Sequence, residues 1–230
     1  VPSRQNPLTP DENLELTRAL AQYHSRAMDR AGQPYFTEEA YDDFYFGKGS
    51  TYPDINGSIG ILFEQKSILG QQIETSNGVE TFRMAIANQL RMSLSSLEGS
   101  WALREQLKTY QSGFHELMLK RAASRKFKAW IVGDDGDPAR ARAFLDLLDL
   151  HRIEYQPLGE SISSGSDEFS PRHAWIIPAR QKQFGLIEAM KEQRTRFADN
   201  TFYDVSAWTL PLAYNLPFTT VGRMPASEAT

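Results

Sequence analysis

A chain of 230 residues, 40% hydrophobic and 23% charged, can build one large domain or two small ones with real cores. Its net charge of −4 offers no basic footprint for nucleic acid, and no apolar run is long enough to cross a bilayer as a helix. The absence of cysteine excludes disulfides, thiolate metal sites and a cysteine nucleophile, though it fixes no compartment. The chain begins at Val1 rather than Met, which suggests a processed chain or a piece of a longer one.

Residues 1–8 read as an irregular lead-in. Thr9, Pro10 and Glu12 form a helix start, with Thr9 as N-cap and Pro10 in the first turn. Leu16, Leu20, Tyr23 and Ala27 share one face of that helix, and Gly32 or Gln33-Pro34 ends it. An aromatic and acidic stretch follows, with Tyr41, Phe44, Tyr45 and Phe46 suited to packing or to a pocket rim. A glycine-rich loop beginning at Gly47 then runs into the apolar stretch 59–63, which reads as a strand buried on both faces and ending on Glu64. A carboxylate there either points to solvent or is partly desolvated, which would raise its pKa toward the range of a general base.

Beyond a loop over 65–78, a long helical region spans roughly 79–124. Its apolar stripe is Phe82, Ile86, Leu90, Leu94, Leu97 and Trp101, and Gly99 is the expected break. Composition then shifts. Residues 129–132 read as a strand, 133–137 as a turn, and 138–150 as a helix with Asp137 as N-cap. Further strands are expected at 153–155 and 174–178, a polar loop or hairpin end at 161–172, and a helix at 181–194. That order suggests a small α/β domain with a largely parallel sheet.

The stretch Tyr52-Pro53-Asp54-Ile55-Asn56-Gly57-Ser58-Ile59-Gly60-Ile61-Leu62-Phe63-Glu64-Gln65 resembles the segment that carries the catalytic Glu in M14 (carboxypeptidase A-like) zinc carboxypeptidases. The likeness is to a bacterial branch with a second domain, and it extends over 44–50, 68–70 and 202–211. It implies a general acid/base role for Glu64, a substrate contact for Tyr52 (with Tyr41 and Tyr45 as competitors), peptide as substrate, and a periplasmic or secreted location. It also implies zinc, which the family holds with a His-x-x-Glu motif and a later His, all upstream of the catalytic Glu. Only His24 precedes Glu64 here, with no Glu three residues on, so no metal ligand transfers to this chain. The literal match His151-Arg152-Ile153-Glu154 lies on the wrong side of Glu64, at a helix-to-strand junction.

The second domain resembles the class I glutamine amidotransferase-like, flavodoxin-like fold, but without cysteine it cannot run amidotransfer chemistry. The sequence therefore reads as α/β: a C-terminal portion of an M14-like peptidase over 1–125, inactive by itself, followed by an amidotransferase-like domain over 126–230. The rival is a non-catalytic binding or assembly module. If the first part lacks sheet neighbours, it should expose apolar area and form homo-oligomers.

Overall fold

A computed structural model describes residues 4–37, 42–196 and 209–228. The fold is mixed α/β, in two compact units, 1–111 and 112–230.

The first unit is built on two helices. Helix α1 spans Asp11–Arg30 and buries Asn13, Leu16, Thr17, Leu20, His24, Ala27 and Met28. It begins one residue later than the sequence suggests. Pro10, in an extended conformation, is the flanking residue, and no side chain caps the helix. Asp11 and Glu12 place negative charge on the first turn instead, where the helix dipole favours it. Gly32 ends α1 in the left-handed region, with the Gln33 amide donating to the Met28 carbonyl. Two-residue strands β1 (Arg4–Gln5) and β2 (Asp42–Asp43) pair in parallel, and the short helix α2 (Thr51–Asp54) follows.

Residues 59–63 are not a strand. No strand among the described residues lies beside them to pair their backbone groups, and a strand exists only through such pairing. They run extended, with Ile59, Ile61 and Phe63 half-buried and Leu62 exposed, so only one side is covered. The expected loop at 65–78 gives way to a hairpin, β3 (Gln72–Thr75) and β4 (Gly78–Thr81), closed by Ser76 and Asn77. Thr75 Oγ1 accepts from the Asn77 amide, and Gly78 takes φ 104°, a conformation that favours glycine.

The hairpin delays the helical region to α3 (Phe82–Ala102), capped by Thr81 Oγ1, which accepts from the Met84 amide. The break before α4 (Arg104–Ser124) falls at Leu103, not at Gly99. Gly99 has a packing role: a Cβ there would meet Leu20 and Tyr23 at 3.1 Å, so its absence lets α3 approach α1 closely. Met92, Ser95 and Gly99 form the buried face of α3, and the six-residue apolar stripe stands on the opposite, exposed face.

The boundary between the units falls within α4, at 111/112. In the second unit β5 (Ala129–Gly133) is buried along its whole length, as an all-apolar strand with both faces covered must be. Helix α5 (Pro138–Leu150) starts as its sequence predicts. Asp137 accepts from the Arg140 amide at 3.0 Å, and Pro138 occupies the first turn. Asp137→Ala should cost about 1 kcal/mol, read as a lower midpoint for thermal unfolding of this unit. Strands β6 (Gln156–Pro157) and β9 (Ala174–Pro178) flank the hairpin β7 (Ile162–Ser164) and β8 (Asp167–Phe169). Helix α6 (Phe184–Lys191), helix α7 (Leu210–Ala213) and β10 (Phe218–Val221) complete the unit.

The sheet order is β10-β5-β9-β6 and every pairing in it is antiparallel, so the expected largely parallel sheet is not what forms. The reason is topological. β5, α5 and β6 make a β-α-β unit whose two strands run the same way, but β9 returns between them in the opposite sense.

Candidate functional site

The segment 43–65 is organised from α1 outward. Asn13 is completely buried; its Nδ2 donates to the Ser58 carbonyl at 2.8 Å and lies 3.2 Å from both Asp54 Oδ1 and Tyr110 Oη. Asp54 Oδ1 also accepts from the Gly60 amide at 2.8 Å. Asp43, buried nearby, accepts from Ser50 Oγ at 2.6 Å and Thr51 Oγ1 at 2.5 Å. One helix residue and two carboxyl groups thus pin both ends of the loop that precedes Glu64.

Burial pushes the Asp54 pKa up to about 7; the Gly60 amide opposes this, and the neighbouring Asp43 charge adds to it. A carboxyl titrating there has a pKa suited to proton transfer. Asp54 is nevertheless sealed, at 3% exposure, and does not line the cleft of this unit. Its part is to hold the loop.

That cleft has a volume of about 410 Å³ and an apolar wall that includes Leu20, Ile59, Ile61 and Phe63, with His24 and Tyr110 among its polar members. Its lining includes neither Glu64 nor Tyr52. His24 packs edge-on against Phe63, ring centroids 4.8 Å apart, and burial lowers its pKa, so the ring is neutral near pH 7. Ser95 Oγ donates to the Met92 carbonyl, so the contact between His24 Nδ1 and Ser95 Oγ (2.8 Å) needs the proton on Nδ1. Nε2 is then an acceptor, buried and without a partner among the described residues.

Glu64 stands on the exposed side of the extended segment, next to half-buried Phe63. The burial expected for it at the end of a strand covered on both faces is therefore not found. Tyr52 is half-buried in α2, its carbonyl accepts from Asn56 Nδ2, and burial raises its pKa. Tyr41 and residues 202–208 of the C-terminal stretch lie outside the described residues.

The described residues do not fit a zinc ion. No group of three or more His, Cys, Asp or Glu side chains among them is placed to hold a metal. His24 is committed to Ser95 and Phe63. His151 caps the end of α5 beside buried Ile153, and His173 Nδ1 pairs with Asp134 Oδ2 at 2.9 Å. Asp134 also accepts from the Gly136 amide, so the acidic turn before α5 is closed by its own side chains.

Sequence reasoning does not single out Asn13, Asp43 or Asp54 as a group. Its one visible signal is Asn13, a polar residue in register with Leu16 and Leu20 on the buried face of α1. No family model matches the chain, and no curated protein or solved structure matches it either.

Proposed function

We propose that this chain supplies the acid/base carboxylate of an M14-like zinc carboxypeptidase, with Glu64 taking a proton from the attacking water and passing it to the leaving amine. The observation that carries this reading is the stretch 52–65 with its terminal Glu64, which resembles the family's catalytic segment. On this reading the zinc ligands would come from residues other than those described. Tyr52 is the proposed substrate contact. The second unit, proposed as an amidotransferase-like relative without a nucleophile, would serve as scaffold or partner-binding element.

A second reading, a non-catalytic assembly module, is favoured by the exposed apolar stripe of α3. Metal analysis and a carboxypeptidase assay on the product of the full-length gene separate the two. Stoichiometric zinc, with activity reduced by about 10³-fold in Glu64→Gln, is the expected result on the first reading, in line with the loss of a general base. No zinc and equal inactivity of both proteins would leave assembly as the function.

A further inference from the structure

Helix α3 exposes six large apolar side chains on one face. Phe82, Ile86, Leu90, Leu94, Leu97 and Trp101 are between 54% and 72% exposed. At 100° per residue they fall within an arc of roughly 120°, opposite the face that Met92, Ser95 and Gly99 bury. Together they present on the order of 700 Å², above what a monomer ordinarily leaves in one patch.

The order of residues along this stripe is its second property. Leu90 and Trp101 are equidistant from the point midway between Ser95 and Ser96, and so are Leu94 and Leu97. A two-fold axis through that point would set Leu94 against Leu97 of the second copy and Leu90 against Trp101 of the second copy, on both sides alike. The four positions are spaced four, three and four residues apart, as in the seam of a pair of helices. The charges at the edge agree. Arg91 and Glu98 flank the same side of the stripe, so an antiparallel arrangement brings each near its opposite charge on the second copy, whereas a parallel one would leave the two copies' Arg91 and Glu98 on opposite sides of the seam. Both side chains have only light commitments in the monomer: Arg91 Nη1 donates to Asn88 Oδ1, and Glu98 lies 3.8 Å from Arg30 with both side chains more than half exposed.

We infer that α3 is the interface of a homodimer, in which two copies pack antiparallel along the stripe about an axis between Ser95 and Ser96. This is an isologous contact, closed by its symmetry, so it gives dimers and not filaments. The inference stands on α3 alone and holds under either reading of Glu64.

The test is sedimentation velocity on the whole chain at micromolar concentration, with Leu94→Glu/Leu97→Glu beside the wild type. A wild-type dimer and a monomeric variant of unchanged circular dichroism are expected. Both positions are exposed, so the substitutions remove no core contact. Because the chain has no cysteine, Arg83→Cys gives a single spin-label site. The antiparallel pair places the two labels about 40 Å apart, from about 1.5 Å per residue along the helix. Arg91→Glu should weaken the dimer, and adding Glu98→Arg should restore it. A monomeric wild type, a dimer that survives Leu94→Glu/Leu97→Glu, or labels about 10 Å apart, the spacing of parallel neighbours, would each overturn the inference. Activity plays no part in these readouts, so failure here is distinct from failure of the Glu64 reading.

Discussion

Asp54→Asn should remove a pH dependence on the order of 4 kcal/mol from the stability of the first unit. The folded Asp54 titrates at about 7 against 3.8 for the ordinary side chain, so between those values the folded state holds a proton that the unfolded chain has released. The wild type is therefore more stable near pH 4 and loses stability as pH rises to 7, after which this contribution levels off. Asparagine keeps a carbonyl oxygen for the Gly60 amide and carries no charge at any pH. Its Nδ2 can donate to Asp43, whose neighbouring charge is one of the causes that raise the wild-type pKa. The measurement is the urea midpoint of the first unit, followed by amide exchange in α1, for both proteins at about pH 4 and about pH 8, on either side of the titration. The difference between them should change in favour of the Asp54→Asn variant as pH rises. A constant difference would mean that Asp54 is ionised in the fold.

Gly60→Ala is expected to destabilise the same unit by on the order of 3 kcal/mol, the upper end for overpacking. A Cβ at position 60 would lie 1.8 Å from the Ser50 carbonyl oxygen and 2.6 Å from its carbon. These are backbone atoms, so no rotamer change relieves the clash. Moving Gly60 away also stretches its amide bond to Asp54, and the loop that sets the direction of 61–64 loses its anchor. Gly49→Ala is the control. A Cβ there meets nothing within 4 Å, and the change should be close to neutral. A near-neutral Gly60→Ala in the same unfolding assay would mean that the approach to Ser50 is not part of the folded state.

Local rules make much of the second unit legible. Asp137 and Pro138 announce α5, and the apolar runs 129–132 and 174–178 become buried strands. Strand direction is not legible, because the alternation of strands and helices says nothing about β9 returning between β5 and β6. In the first unit the apolar stretch 59–63 passes for a strand because composition reports burial, whereas a strand needs a neighbour. The hairpin has its signal in Asn77-Gly78 between two alternating runs, and the apolar content of 79 onward hides it. The stripe of α3 illustrates a further limit: periodicity fixes that six residues share a face, but not what that face touches. The placement of Asp54 depends on a contact across 41 residues to Asn13, and no spacing rule reaches that far.

The placement of β9 between β5 and β6 has a kinetic consequence. β5 and β6 are close in sequence but share no hydrogen bond; each waits for residues 174–178, and the far edge of the sheet waits for 218–221. Closing such distant pairings must be achieved before they return any stabilisation, which slows folding relative to a sheet of local hairpins. During synthesis, the second unit would then stay open until almost all of its chain has left the ribosome, with the apolar run 129–133 accessible to chaperones throughout that interval.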